Sequence, residues 1–235
     1  MTQERASTGR IIYVIAIIAA TGGLLFGFDT GVISGALLLI RTQFALQAFS
    51  QEVVVSAVLA GAILGAAVSG KIADRYGRRN VIIATAVIFA AGTFLASFAH
   101  SVDMLVVGRV IIGVAIGIAS FAVPLYISEI SPTNVRGALV SLNQLMITIG
   151  IVLSYVVDDI FAGGAHGWRW MFLVGVVPAA VLGIGMLFLP RTPRWLMRRG
   201  KEDAATRVMA SIGGEDVARD IAEMKETIAE ETGGS

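Results

Sequence analysis

Long apolar segments alternate with short polar ones along most of the chain. A helix needs about 20 apolar residues to cross the ~30 Å hydrocarbon core of a bilayer. Six segments meet that requirement: 11–40, 53–73, 81–99, 104–127, 138–157 and 170–189. The first is long enough that we expect it to tilt or to emerge from the membrane. The pattern predicts an all-α membrane protein with six transmembrane helices.

The pattern changes after Leu189. Residues 190–235 carry 8 of the 18 Lys and Arg residues and 9 of the 17 Asp and Glu residues, which indicates exposure to water. Helical spacing continues there, because Val217, Ile221, Met224 and Ile228 fall on one helix face. Gly213-Gly214 separates this helix from an earlier one at about 202–212. We expect solvated helices that rest on the inner membrane face.

The chain therefore divides into an N-terminal tail (1–10), a six-helix transmembrane bundle (11–189) and a helical segment (190–235). Positive residues predict the orientation, because loops rich in Lys and Arg stay in the cytoplasm. One side of the predicted bundle holds 15 of the 18 Lys and Arg residues, and the other side holds only Arg41 and Arg169. Both termini are predicted to be cytoplasmic, in a multi-pass protein of the cell membrane.

Composition excludes several classes of function. The chain is 56% hydrophobic and 15% charged, whereas soluble domains have about 25% charged residues. Its net charge is +1, and no basic stretch alternates with aromatic residues, so we expect no nucleic-acid partner. There is no cysteine, and the two histidines, His100 and His166, lie far apart, so no metal site is predicted. No nucleophile–base or phosphate-binding pattern indicates an enzyme.

Two ionisable residues lie within apolar segments. Asp29 stands in GGLLFGFDTGVISG (22–35) and Arg109 in VVGRVIIG (106–113). Each charge costs at least ~2.5–3.5 kcal/mol at the centre of a span, so neither is expected to face lipid. At 1.5 Å per residue both fall in the outer half of the membrane, where they could form a pair.

The residues alone leave two interpretations of this pair open. In one, Asp29 and Arg109 form a purely structural ion pair, or Arg109 extends to the outer interface. In the other, protonation of Asp29 loosens the pair and a two-state helix packing responds. The balance between desolvation and the charge of Arg109 decides whether Asp29 takes up a proton.

Glycines at the spacings typical of small residues in helix interfaces predict close helix packing. They are Gly22, Gly23 and Gly27 in the first segment, Gly61 and Gly65 in the second, and Gly113 and Gly117 in the fourth.

The loop GKIADRYGRR (70–79) closely resembles the signature cytoplasmic loop of the major facilitator superfamily. Within it, Asp74 can cap the next helix or pair with Arg78, and Gly77 permits a tight turn. Four further segments narrow the resemblance to the sugar porter family: GGLLFGFDTGVISG (22–35), GRVIIG (108–113), PLYISEISPTNVRG (124–137) and PRTPRWLMRRGK (190–201). The chain resembles the N-terminal six-helix half of a proton-coupled monosaccharide (hexose or pentose) transporter.

The resemblance implies roles for particular residues. Asp29 matches the proton-coupling acid and Arg109 the arginine that it pairs with; facilitative members usually lack the acid, which favours symport with protons as the coupling ion and no other cofactor. Gln144 resembles a sugar-contacting amide, although a helix–helix hydrogen bond explains it equally well from the residues alone. Phe26 matches an aromatic residue of the sugar cavity.

The resemblance also implies a charge network that latches the outward-facing state. Its members are Gly70, Asp74, Arg75, Gly77, Arg78, Arg79, Glu129 and Arg136; without the resemblance they are ordinary charged loop ends. One position departs from the family pattern P-E-S-P-R, because Arg191 replaces the acid.

The length predicts only one half of such a transporter. We therefore expect partners besides the bilayer and a monosaccharide: a separately encoded second six-helix half, or a second copy of the chain. The alternative is a truncated, non-transporting membrane scaffold or regulatory protein.

Overall fold

The computed structural model describes residues 2–132, 134–164, 166–212 and 217–233. These form helices α1 (Thr2–Gln43), α2 (Ala48–Tyr76), α3 (Arg78–Ser97), α4 (Val102–Ile130), α5 (Arg136–Phe161), α6 (Gly167–Val174), α7 (Val176–Phe188), α8 (Pro193–Arg198), α9 (Glu202–Ile212) and α10 (Val217–Gly233). Six stretches are long and apolar enough to cross a membrane, with α6 and α7 together forming the sixth. The predicted class, an all-α membrane protein with six spans, is confirmed.

Two boundaries differ from the sequence pattern. Helix α1 begins at Thr2, so it runs without a break through the segment that the pattern predicts as a tail. The sixth span is interrupted at Gly175. Pro178 explains the interruption, because it has no N–H with which to bond the carbonyl of Val174 four residues earlier.

Two seams of close backbone contact hold the bundle together. In the α1/α5 seam, a Cβ atom added to Gly27 would lie 1.9 Å from the carbonyl oxygen of Ile147. In the α2/α4 seam, a Cβ on Gly117 would lie 2.1 Å from the oxygen of Ala62, and one on Gly61 would lie 2.1 Å from that of Val110. Only glycine fits at such distances, so these residues set how closely the helices approach, as their spacing predicted.

Helices α2 and α3 meet at a sharp turn. Gly77 has φ 87° and ψ 144° and is the only residue between them. An L-amino acid with a side chain is strained at a positive φ, whereas glycine is not. Its N–H bonds to the carbonyl of Ala73, so the turn closes α2 while α3 starts at once. We call the end of the bundle with this turn and α8–α10 the tail end.

Burial is uneven across the bundle. In the most apolar 18-residue window of α1 and of α4, 61% of residues are buried, whereas the value is 28% for α2 and 11% for α5. Helices α1 and α4 therefore form the centre, and α2 and α5 each present a broad open face.

The tail helices form a small core of their own. Trp195 and Leu196 of α8, Ala205 of α9 and Ile221 of α10 are buried together. The two predicted tail helices are present as α9 and α10, while α8 is additional; Gly213-Gly214 lie outside the described residues. Val217 and Ile221 of the α10 stripe pack towards α8 and α9, so Ile221 is not available to a membrane surface.

Candidate functional site

Asp29 and Arg109 meet in the centre of the bundle. Arg109 Nη1 donates to Asp29 Oδ1 at 3.5 Å, and both residues are buried, Arg109 at 0% and Asp29 at 2% exposure. They come together because α1 packs against α4. The pair that the sequence places at similar depths is thus a direct contact.

This pair leaves hydrogen-bonding capacity unused. Asp29 Oδ2 and Arg109 Nε are buried and have no hydrogen-bond partner among the described residues. The guanidinium also lies over the ring of Phe172, 5.7 Å from its centroid. A charged pair this deep is normally bonded at every polar atom, so this pair is less completely bonded than most buried ion pairs.

The two residues matched to a sugar cavity lie on neighbouring helices. Phe26 on α1 is half-buried and packs against the core. Gln144 on α5 has an exposed side chain, while its neighbour Asn143 turns inward against Gly23 of α1. Gln144 therefore belongs to the open face of α5, and its amide is accessible to a ligand or a partner.

A second buried arginine stands at the tail end. The side chain of Arg78 bonds Glu129 Oε1 from Nε at 3.0 Å and Asp74 Oδ1 from Nη2 at 3.0 Å. Its Nη1 donates to the carbonyl oxygen of Ala73 at 3.1 Å. These four residues, which we call the Arg78 cluster, join the α2–α3 turn to the end of α4.

Asp74 pairs with Arg78 and does not cap α3, since Gly77 occupies the N-cap position. Its backbone oxygen accepts a hydrogen bond from Trp195 Nε1 at 3.2 Å, and its carboxylate pairs with Arg198 at 3.5 Å. Helix α8 is thereby attached to the α2–α3 turn.

The remaining residues matched to the latch make different contacts. Arg79 donates from Nε to the carbonyl oxygen of Met186 at 2.9 Å and from Nη2 to that of Leu187 at 2.5 Å. These bonds satisfy two backbone carbonyl groups at the C-terminal end of α7.

The other matched residues make local contacts. Arg136 Nη2 donates to the carbonyl oxygen of Ser131 at 3.4 Å. Arg75 lies over the ring of Tyr76. Gly70 is half-buried, and a Cβ atom added to it would lie 3.9 Å from the ring of Phe121.

Arg191, which stands where the family pattern has an acid, lies over the indole ring of Trp195 at 4.9 Å from the centroid. Arg199 contacts the same ring at 5.5 Å, so two cations flank one indole. The arginine at this position therefore makes a cation–π contact with the tryptophan of α8.

Sequence reasoning missed other buried polar contacts. Asp158 Oδ2 accepts a hydrogen bond from the backbone N–H of Gly35 at 3.1 Å across the α1/α5 seam. Tyr126 donates its hydroxyl to the oxygen of Pro190 at 2.9 Å. The apolar pattern ends the fifth segment at Val157, so it predicts Asp158 as a loop residue, and only its alignment with Gly35 reveals the contact. The glycine spacing at 27, 31 and 35 is the one available signal.

Among the described residues, no group of three or more His, Asp or Glu side chains is positioned to hold a metal ion. The polar side chains described above for the central pair and the matched sugar cavity are one buried acid, one buried cation, and the amides of Asn143 and Gln144 on α5. Such a set can move a proton or bind a neutral polar molecule.

A bundle of six spans with a buried acid–base pair and an open face defines a class of multi-pass membrane proteins that includes secondary transporters. Residues 15–235 match the profile of the family described as "Sugar (and other) transporter". The chain belongs to this family, within the major facilitator superfamily.

Similar proteins agree with this assignment. The chain is 46% identical over 216 residues to the putative metabolite transport protein YwtG of Bacillus subtilis, a match that covers 92% of this chain and 47% of YwtG. It is 45% identical to the glucose transporter GlcP of Staphylococcus epidermidis, covering 91% and 48%. The solved proton:xylose symporter XylE of E. coli superposes with a TM-score of 0.88 at 32% identity, covering 95% of this chain and 55% of XylE.

The chain spans about half the length of the curated relatives it matches. The names of these relatives are those of transporters, which supports the interpretation that the chain is not an enzyme.

Proposed function

We propose that the chain forms one six-helix half of a proton-coupled monosaccharide symporter in the cell membrane. The observation that carries the proposal is the Asp29–Arg109 contact, a buried pair of opposite charges with one bond between them and, among the described residues, an unbonded polar atom on each side. Protons are the coupling ion, and no organic cofactor or metal takes part.

Coupling follows from the single bond. When Asp29 takes up a proton, Arg109 loses the attraction of the one carboxylate that it contacts among the described residues. Helices α1 and α4, which carry the pair, then favour a different packing. A proton acts as a ligand of one of two conformations and shifts the population towards it.

The sugar binds beside this centre. Gln144 offers two N–H donors and a carbonyl acceptor, which suits the hydroxyl groups of a hexose or a pentose. Phe26 supplies an apolar surface on the adjacent helix. The names of GlcP and XylE, a glucose transporter and a xylose symporter, support a monosaccharide as the substrate class.

A second six-helix half completes the path. The open face of α5 carries Gln144, Thr148 and Asp159, polar side chains that are poorly suited to lipid. A further bundle that covers this face and that of α2 would place the sugar between two halves that rock against each other. That bundle is either continuous with this chain, a separate chain or a second copy.

The tail end faces the cytoplasm, as do both termini, because 15 of the 18 Lys and Arg residues belong to that side. There the Arg78 cluster acts as the latch of the outward-facing state, with Gly70, Arg75, Arg79 and Arg136 at its edge. Closure of the cytoplasmic side joins α2, α3 and α4 to the second half.

The test reconstitutes the chain into proteoliposomes and measures uptake of labelled glucose and xylose, with an imposed pH gradient and without one. We expect saturable, pH-driven accumulation. Asp29→Asn should abolish accumulation but retain exchange of sugar across the membrane, because the amide removes the titratable group and leaves Gln144 in place.

The matched control is Asp103→Asn, which makes the same chemical change at an exposed position in the first turn of α4. Accumulation by Asp29→Asn at the level of the unchanged chain would contradict the coupling role. Absence of uptake at every protein-to-lipid ratio, from folded protein without a second half, would exclude transport by a homodimer.

A further inference from the structure

A second acid is buried between helices, apart from the Asp29–Arg109 pair. Asp158 lies on α5, one turn from the end of the helix, and is 8% exposed. Its Oδ2 accepts the backbone N–H of Gly35 on α1 at 3.1 Å, a contact between residues 123 positions apart. The carboxyl group therefore joins the two helices directly.

Gly35 creates the space for this contact. A Cβ atom on Gly35 would lie 2.5 Å from Asp158 Cγ and 2.6 Å from Oδ2. The carboxyl group thus fills the position that a side chain on α1 would take. It closes the α1/α5 seam at the end opposite the tail, where Gly27 and Gly31 continue the seam inward.

The second carboxyl oxygen has no such contact. Asp158 Oδ1 is buried and has no hydrogen-bond partner within the described part of the chain. A carboxylate would place a full negative charge there, and an unpaired buried charge is costly.

No cation of the described residues neutralises that charge. On α1, Asp29 and Arg41 each lie six residues from Gly35, about 9 Å along the helix axis. Asp159 on α5 is exposed, and so is His166, which immediately precedes α6. Arg169 of α6 is bonded instead to the carbonyl oxygens of Ser97 and Ala99.

We propose that Asp158 is a second protonatable site of the bundle, which holds the α1/α5 seam closed when it carries a proton and opens it when it does not. The proton resides on Oδ1, while Oδ2 keeps the Gly35 bond. Loss of the proton leaves a charge that only water can solvate, and water enters by separating the two helices. The seam then opens as the pH rises, at the end opposite the tail.

The experiment measures the distance between the two helices as a function of pH. The chain has no cysteine, so cysteines introduced at Leu38 and Ile160 would be the only ones. Both positions are exposed, at 55% and 66%, one on each helix near the seam. Spin labels there report the separation of α1 and α5 in liposomes by pulsed electron paramagnetic resonance.

We expect a longer label distance at high pH than at low pH, and loss of this shift in Asp158→Asn. The amide of this variant keeps an acceptor oxygen for Gly35 but has no proton to lose in this pH range. Asp159→Asn, the same change at the adjacent exposed residue, is the matched control and should retain the shift. A constant distance in the unchanged chain, or an intact shift in Asp158→Asn, would overturn the proposal.

A second measurement addresses the proton itself. The infrared band of a protonated carboxyl group should be present at the pH of the closed seam, persist in Asp29→Asn and lose intensity in Asp158→Asn. Retention of the full band in Asp158→Asn would contradict the assignment. Asp29→Asn is expected to keep the pH-dependent shift in label distance. Failure of the coupling role of Asp29 therefore appears in the uptake measurement, and failure of the Asp158 proposal appears in the label distance.

Discussion

Arg78 and Arg109 are both buried, yet they are bonded in different ways. Arg78 contacts two carboxylates and a backbone oxygen, all at 3.0–3.1 Å. Arg109 contacts one carboxylate at 3.5 Å and leaves its Nε without a hydrogen bond to any described residue. The first arrangement keeps a partner when any one acid is lost, whereas the second does not. Redundant bonding suits a cluster that keeps its own contacts while it meets a second half, and a single bond suits a switch.

The first prediction removes the centre of the redundant cluster. Arg78→Ala leaves Glu129 buried without its cation, and breaking a buried ion pair in this way costs about 3–5 kcal/mol. Urea unfolding in detergent, followed by tryptophan fluorescence, should show this loss in the free energy of unfolding. Arg75→Ala, at an exposed residue in the last turn of α2, should change this free energy by at most about 0.5 kcal/mol. Equal losses in the two variants would contradict the central place of Arg78.

The second prediction removes the single acid. Asp29→Asn leaves the Arg109 charge without a counter-ion, and we expect a loss of about 3 kcal/mol, the lower end for a broken buried pair because the amide retains an acceptor. The same unfolding measurement applies, with Asp103→Asn as the exposed control. A smaller loss for Asp29→Asn than for Glu129→Gln, the variant considered next, would contradict the contrast between the two arginines.

The third prediction makes the same acid-to-amide change in the redundant cluster. Glu129→Gln leaves Arg78 bonded to Asp74 and to the oxygen of Ala73, so we expect a loss of about 1–2 kcal/mol, the scale of one imperfect buried hydrogen bond. Asp29→Asn and Glu129→Gln both replace an acid with its amide. Comparing their losses therefore tests whether the additional partners of Arg78 compensate for one lost carboxylate. A larger loss at Glu129 would show that Asp74, at 56% side-chain exposure, does not compensate.

The smallest effect is expected at the edge of the cluster. Arg191→Ala removes a cation from the ring of Trp195, and a cation–π contact whose cation still reaches water contributes about 0.5–1 kcal/mol. Arg199 still covers the ring, so the loss should fall at the low end, measured by thermal unfolding. Arg191→Glu, which restores the acid of the family pattern, should lose the same contact. A gain in stability there would indicate a second ionic partner for that position.

The central pair could be predicted from the sequence because the membrane limits the choices. A charge in an apolar segment must find a partner, and only Asp29 and Arg109 lie at a matching depth. The turn at Gly77 was predictable for a similar local reason, since the residue lies between two predicted helices within a cluster of cations. Sequence spacing and membrane depth are enough to predict a contact when only a few residues are able to make it.

Other contacts depend on register between distant helices. Asp158 meets Gly35 only because α1 and α5 pack at one offset along their axes, and no local pattern gives that offset. The cation–π position of Arg191 depends likewise on the path of α8. The break at Gly175 was missed for another reason: hydropathy does not register the hydrogen bond that Pro178 removes.

The two glycine seams also set an order of events during synthesis. Helix α1 pairs with α5, and α2 pairs with α4, so neither seam can form until a later helix has entered the membrane. Asp29 precedes Arg109 by 80 residues, which at a synthesis rate of 5–20 residues per second is about 4–16 s. For that interval the nascent chain holds its acid without a partner, and the glycine face of α1 stays uncovered longer still, until α5 has entered the membrane.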